Sequence, residues 1–84
     1  MTKVYLLIQH FEDEMGEEDY YNIFSTKELA QEKFKDCVDT LIHNTYDINE
    51  VEITQYDNYY SLYDPYTYSI STISIIELEL DNKE

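Results

Sequence analysis

The sequence predicts an α+β domain in which one helix packs on one face of a four-stranded, mainly antiparallel sheet, with the elements ordered β-β-α-β-β along the chain. Short runs of alternating apolar residues near both ends predict the strands, and helical spacing between residues 26 and 43 predicts the helix. One glycine and one proline in 84 residues leave little room for linkers. We therefore expect residues 1–84 to form a single domain.

The first two strands are predicted over residues 3–9 and 20–24, where apolar and aromatic residues dominate. Every residue from 4 to 8 is apolar or aromatic, which indicates a central position in the sheet. Residues 12–19 are predicted to connect the two strands as an acidic hairpin tip. Its carboxylates belong to Glu12, Asp13, Glu14, Glu17, Glu18 and Asp19.

An amphipathic helix is predicted over residues 26–43. Ser25 and Glu28 have the spacing of a capping box, in which the Ser25 hydroxyl accepts a hydrogen bond from the backbone N–H of Glu28. The apolar face of the helix is expected to pack on the sheet. It comprises Ala30, Phe34, Cys37, Val38, Leu41 and Ile42.

Two further strands are predicted over residues 50–54 and 66–80. A turn signal that includes Pro65 lies between them at residues 63–66, and it predicts a loop of about four residues that places residue 62 opposite residue 67. We expect the two strands to pair, so that Ile53 lies opposite Ile76 on the side of the helix. The same register places four glutamates together on the open face of the sheet, namely Glu50, Glu52, Glu77 and Glu79. Like charges on neighbouring strands destabilise a sheet by up to about 1 kcal/mol per pair, so this group predicts a binding face for a partner's cations. A solvated face, with the glutamates leaning apart or paired with Lys3 or Lys83, is the alternative interpretation.

Acidic residues outnumber basic residues by 19 to 5, which gives a net charge of −14. Such self-repulsion destabilises a folded protein, and solubility alone needs a net charge of only about 2 to 8 in magnitude. The charge argues against direct binding to nucleic acid or to anionic membranes. It favours a basic protein as the partner, above all one whose lysines and arginines normally bind phosphates.

Tyrosine is concentrated in the second half of the chain, where six of the ten tyrosines lie between residues 56 and 68. We expect Tyr59 and Tyr68 to face the core and the others to form an exposed contact surface. A tyrosine ring beside a carboxylate suits arginine, through cation–π stacking and a charge-assisted hydrogen bond. The residues predicted to contact a partner here are Asp57, Tyr60, Tyr63 and Asp64.

Catalytic motifs are absent from the sequence, including a glycine-rich phosphate loop, a paired-cysteine motif and a zinc-protease helix. Cys37 lies on the apolar face of the predicted helix, where a cysteine usually packs as a small hydrophobic residue. The acidic hairpin tip lacks the ligand spacing of a calcium-binding loop. We therefore predict that the protein is not an enzyme and takes no cofactor and no metal.

The single cysteine excludes an internal disulfide. The apolar run at residues 4–8 is too short for a signal peptide or a membrane span. These features predict a cytoplasmic protein, and they leave a homodimer open.

Three segments of the chain resemble a group of short uncharacterised bacterial and phage proteins with a hairpin-helix-strand layout. The segments read KVYLL at residues 3–7, IFSTKELA at residues 23–30 and ELELD at residues 77–81. This resemblance implies a fold and no activity. In its small size, acidity and tyrosine content, the chain also resembles phage anti-defence inhibitors, including anti-CRISPR and anti-restriction proteins that mimic nucleic acid.

These observations predict an acidic, phage-encoded inhibitor that acts in the host cytoplasm, in the manner of an anti-CRISPR protein. It would occupy the basic nucleic-acid-binding surface of a host defence enzyme, with the four glutamates and the acidic hairpin tip standing in for phosphates. The alternative is a small regulatory adaptor or antitoxin-like protein that binds its partner through the tyrosine-rich hairpin.

Overall fold

The computed structural model describes residues 2–45 and 48–80. These residues form five β-strands, one α-helix and one 3-10 turn. The strands are β1 (Thr2–Asp13), β2 (Gly16–Phe24), β3 (Glu52–Tyr56), β4 (Tyr59–Asp64) and β5 (Ser69–Leu80), the helix α1 covers Lys27–Asn44, and the 3-10 turn covers Ile48–Glu50.

The five strands form one sheet in the order β2-β1-β5-β4-β3, and every neighbouring pair is antiparallel. The last strand of the chain thus lies in the middle of the sheet, between β1 and β4. The helix α1 packs against β1, β2 and β5. The prediction of an α+β fold with one helix on an antiparallel sheet is confirmed, whereas the predicted number of four strands is wrong.

The additional strand is β4, which lies in a segment predicted to be a connection. A two-residue turn at residues 57–58 reverses the chain, so that β4 pairs with β3 and Ile53 lies opposite Leu62. The strand β5 pairs with β4 and also with β1, where Ile76 lies opposite Leu6. The predicted pair of Ile53 and Ile76 is therefore wrong, because β4 separates their strands.

Core contacts define the two faces of the sheet. Leu7 of β1 and Ile73 of β5 are buried in one cluster with Phe34 and Val38 of α1. Side chains alternate between faces along a strand, so the residues between these positions point away from the helix. We call the side that carries α1 the helix face and the other side the open face.

This assignment corrects the predicted group of four glutamates. Glu77 and Glu79 have the same parity as Ile73 in β5, so they lie on the helix face. Glu50 lies in the 3-10 turn, and Glu52 is the member of the group that lies on the open face of a strand. The four residues do not form a ladder, because β3 and β5 are not neighbours.

The strands β1 and β2 are longer than predicted, because they extend through most of the acidic hairpin tip. Glu14 and Met15 form the turn, and the Asp13 carboxylate accepts a hydrogen bond from the backbone N–H of Met15 at 2.8 Å. Gly16 follows with a φ of +138°, a conformation that glycine adopts without steric cost. The acidic residues of this segment consequently lie mainly in paired strands, with alternating orientation.

The helix α1 covers nearly the predicted range and has a different cap. Thr26 is the N-cap, and its Oγ1 accepts a hydrogen bond from the backbone N–H of Leu29 at 3.2 Å. The predicted capping box at Ser25 is therefore wrong: the N-cap lies one residue later, and Leu29, at the third helical position, has no carboxylate to complete a box. At the other end, the Thr45 hydroxyl donates to the carbonyl oxygen of Leu41 at 2.8 Å. In the described part of the chain, no helix combines the length and the apolarity that a membrane crossing requires.

A small core between α1 and the sheet stabilises the domain. Its buried residues are Leu7, Phe34, Val38, Tyr60, Leu62 and Ile73. Burying one such apolar side chain contributes about 1.5–3 kcal/mol. Cys37 packs against this core. Tyr60 is only 1% exposed, so the prediction that Tyr60 contacts a partner is wrong.

Candidate functional site

The open face changes from acidic to apolar along the strands. Directly opposed residues form rows across the sheet, because the register is continuous in every strand pair. The acidic row, read from β2 to β3, consists of Glu17, Glu12, Ile70, Tyr63 and Glu52. The hydroxyl row beside it consists of Asp19, His10, Thr72, Ser61 and Thr54.

The acidic row brings together predicted contact residues from distant parts of the sequence. Glu17 and Glu12 are direct neighbours at one edge, and Glu52 lies at the other edge, about 19 Å away at roughly 4.8 Å per strand. All three glutamates are exposed, and the half-buried Tyr63 lies next to Glu52. The row therefore offers carboxylates at both edges of the sheet and a tyrosine ring between them.

His10 lies beside the acidic row and contacts three carboxylates. Its Nδ1 forms a hydrogen bond with Asp19, and its Nε2 lies 3.3 Å from Glu12 Oε1 and 3.9 Å from Glu17 Oε2. The hydrogen bond to Asp19 is the main cause that raises the pKa of His10, and the hydrogen bond to Glu12 raises this pKa further. Because both ring nitrogens face acceptors, these contacts stabilise the imidazolium relative to the neutral ring.

The same group has the composition of a metal site. The ligand atoms of His10, Glu12 and Glu17 lie within 4.8 Å of one another, which is close enough to coordinate one ion. Imidazole and carboxylate ligands suit divalent transition metals, and a metal ion at Nε2 would compete with a proton for that nitrogen. The predicted absence of a metal stays a prediction.

The described lysines form no ion pair with the acidic row, whose Glu12 and Glu17 have His10 as their cationic neighbour. Within residues 2–45 and 48–80, the one ion pair from a lysine joins Lys3 Nζ to Glu77 Oε2 at 3.9 Å, on the helix face. Both side chains are more than half exposed, so the pair contributes at most about 1 kcal/mol. The other described lysines, namely Lys27, Lys33 and Lys35, belong to α1 on the opposite side of the sheet. Pairing with Lys3 thus applies to Glu77 and not to the acidic row, and Lys83 lies outside the described residues.

The other carboxylates of the acidic hairpin tip point elsewhere. Glu14 lies in the turn, and Asp13 and Glu18 lie on the helix face. Glu18 Oε2 accepts a hydrogen bond from the Tyr20 hydroxyl at 2.7 Å, and this bond raises the pKa of Tyr20. These three acidic residues add to the charge of the hairpin without extending the acidic row.

The acidic residues near the loop between β4 and β5 (residues 65–68) stabilise that loop. Asp64 Oδ1 accepts a hydrogen bond from the backbone N–H of Tyr66 at 2.9 Å, and Glu50 Oε2 accepts one from the Tyr66 hydroxyl at 3.0 Å. The four-residue length of the loop is as predicted. Asp57 lies in the turn at the opposite end of the β3–β4 hairpin. The predicted tyrosine-rich site is therefore divided between two ends of this hairpin.

The exposed tyrosines follow the same division. Tyr66 and Tyr68 are 73% and 65% exposed in the loop, and Tyr56 is 69% exposed at the end of β3. Tyr59 is half-buried on the open face, so the prediction that Tyr59 and Tyr68 face the core is wrong. Tyr60, which lies between Tyr59 and Tyr68 in the sequence, is the tyrosine that is buried in the core.

Sequence reasoning did not identify His10 or the hydroxyl row as part of the site. His10 lies opposite Asp19 only when the hairpin turns at residues 14–15, and Gly16 is the local sign of that turn. Comparison with protein-family models, with curated proteins and with solved structures found no match. The chemistry of the open face is therefore the basis on which a function can be assigned.

Proposed function

We propose that this protein binds the basic surface of a nucleic-acid-binding protein and inhibits it by occupying the place of the nucleic acid. The observation that carries the proposal is the acidic row with Asp19 beside it, on a face where no described lysine lies. The partner we propose is a host defence enzyme, and the inhibitor is phage-encoded, as the resemblance to anti-CRISPR proteins implies. It acts in the host cytoplasm.

The spacing of the carboxylates supports charge mimicry. Glu17 and Asp19 lie two residues apart on one strand, which separates their Cα atoms by about 6.6 Å. Glu12 lies opposite Glu17, at the short distance of a cross-strand pair. Lysines and arginines that bind successive phosphates would meet acceptors of the same charge and similar separation.

The surface proposed here differs from the one predicted from sequence. Glu77 and Glu79 lie on the helix face, so they are not part of the proposed binding surface. The negative charge of that surface comes from Glu12, Glu17, Asp19 and Glu52. Tyr63 lies within the acidic row, where its ring could stack with an arginine that reaches Glu52. A net charge of −14 adds long-range attraction, which accelerates association with a basic protein.

The first test is retention of a partner from a host lysate by the tagged protein. Retention should fall steeply between about 50 and 200 mM salt, and duplex DNA should compete for the partner. Retention that responds neither to salt nor to DNA would contradict the proposal.

The sharper test compares two triple variants that each remove three negative charges. Glu12→Gln/Glu17→Gln/Glu52→Gln alters the acidic row and should weaken binding to the purified partner at least about tenfold. The matched control, Glu32→Gln/Asp36→Asn/Asp39→Asn, alters exposed positions on α1 and should change the affinity less than about threefold. Equal losses in the two variants would mean that only total charge matters, and the proposal would be wrong.

A second candidate function is a regulatory adaptor or antitoxin-like protein that binds through its tyrosines. The exposure of Tyr66, at 73%, favours it. In that case Tyr66→Ala should weaken binding more than the acidic-row variant does. Tyr60→Ala is not a suitable test, because loss of this core ring would destabilise the whole domain.

A further inference from the structure

The open face carries an apolar patch at the end opposite the acidic row. The patch spans β2, β1 and β5, and its members are Leu6, Tyr21, Ile23, Ile76, Leu78 and Leu80. Ile23 is 69% exposed and Ile76 is 44% exposed, although both are aliphatic. Contiguous exposed apolar surface of this kind marks interaction sites in soluble proteins.

The patch has the footprint of an α-helix. Its three strands span about 10 Å from axis to axis, and residues 2 to 8 of β1 extend for about 20 Å. A helix of about 13 residues is 20 Å long and about 10–12 Å wide. The protein already packs α1 on the helix face of the same three strands. A second helix on the open face would repeat this packing on the other side of the sheet.

Charge defines the chemistry of that helix. Along β2 the patch continues from Tyr21 to Asp19 and Glu17, and along β1 it reaches His10 and Glu12. A helix over residues 2 to 8 of β1 would therefore point one end toward three carboxylates, with Asp19 about 7 Å and Glu12 and Glu17 about 13 Å beyond that end along the strands. Lysines or arginines at that end, or the positive N-terminus of the helix, would complement them. A second copy of this chain would instead bring a molecule with a net charge of −14 up to this acidic face, which is electrostatically unfavourable.

We infer that the apolar patch is the docking site for an amphipathic, basic α-helix of the partner protein. The inference rests on the proposed function, because the acidic row would attract the same partner. The inference adds that the partner supplies an amphipathic helix. The apolar stripe of this helix would lie over Leu6, Ile23 and Ile76, and its cations would point toward Asp19 and Glu17.

A labelled peptide of leucine and lysine, with its leucines on one helical face, serves as the probe. A control peptide has the same composition and charge but a scrambled order that does not segregate leucine. In fluorescence anisotropy at about 150 mM salt, the segregated peptide should bind at least about tenfold more tightly than the scrambled one. Equal binding of the two peptides would overturn the docking site and leave the proposed function standing.

Matched variants locate the peptide on the protein. Ile23→Ser/Ile76→Ser should weaken binding of the segregated peptide at least about tenfold. The control Leu29→Ser/Ile42→Ser alters apolar residues of α1 that are 49% and 40% exposed, and it should leave the affinity within about twofold. Circular dichroism spectra that match the parent protein would verify that both variants are folded. An unchanged affinity in the Ile23/Ile76 variant would refute the inference.

Sedimentation equilibrium tests the competing occupant. A monomer at the concentrations used for binding supports the inference. A dimer that the Ile23→Ser/Ile76→Ser variant dissociates would show that a second copy covers the patch, and the inference would be wrong. Failure of the proposed function has a different signature, namely partner binding that is insensitive to salt, to DNA and to the acidic-row variant.

Discussion

Removal of one buried hydroxyl group should stabilise this protein. Tyr60 is 1% exposed, and within the described residues its hydroxyl oxygen is buried without a hydrogen-bond partner. Burial also raises the pKa of this hydroxyl. An unsatisfied buried polar group costs about 1–3 kcal/mol, whereas the ring contributes to the core through its contacts. Tyr60→Phe keeps the ring and removes the cost, so the free energy of unfolding should rise by about 1 kcal/mol.

Urea and thermal unfolding, followed by circular dichroism, measure this change. A gain of 1 kcal/mol corresponds to an increase of about 4–8 °C in the melting temperature of a domain this small. Tyr56→Phe is the matched control, because it removes a hydroxyl from a ring that is 69% exposed, and it should stay within about 0.5 kcal/mol of the parent. A loss of stability in Tyr60→Phe would mean that the hydroxyl makes a hydrogen bond in the folded protein, and our description of the core would be wrong.

Three further predictions concern charge and backbone strain. Adding about 0.5 M sodium chloride should raise the melting temperature, since salt screens the repulsion among carboxylates; an unchanged or lower value would contradict this. The pKa of His10 is raised above 6.5 by Asp19 and Glu12, so its stabilising contribution is complete below pH 6.5 and is lost as the pH rises through the raised pKa. Unfolding at several pH values should show this loss in the parent and not in His10→Gln, and a histidine NMR titration midpoint at or below 6.5 would refute it. Tyr68 has a φ of +56°, a left-handed conformation that costs most residues about 1–2 kcal/mol. Tyr68→Asn should therefore raise the free energy of unfolding by about 0.5–1 kcal/mol in urea titrations, and a decrease would count against strain at this position.

The helix and the first hairpin could be predicted because their signals are local. Apolar residues recur at helical spacing from Ala30 to Leu41, and the structure buries Ala30, Phe34 and Val38 on that face. The residues at which the two hairpin strands end were harder to predict from the sequence. Acidic residues favour loops, yet Glu12 and Glu17 are paired across the strands, where His10 offsets part of their repulsion.

The position of β5 could not be predicted, because it depends on contacts between distant segments. Ile75 and Ile76 are adjacent in the sequence, so the apolar pattern of β5 is compatible with either the odd-numbered or the even-numbered side chains facing the helix. A shift of one residue exchanges the two faces of a strand. In the structure Ile75 packs against the core and Ile76 is exposed on the open face. The sequence therefore singled out the acidic residues of the candidate site but placed Glu77 and Glu79 on the wrong face of the sheet.

The continuous apolar run in β1 connects the fold with the proposed partner. Strands that are apolar at every position are typically covered on both faces of a sheet. In this protein α1 covers Leu7 on the helix face, whereas Leu6 lies on the open face between Ile23 and Ile76, which are both exposed. Apolar residues on an open face do not improve the stability of the isolated domain, but they gain burial when a partner covers them. Under the proposed function, the carboxylates at the other end of the same face would select a basic partner, because cations on that partner would offset the repulsion among these charges.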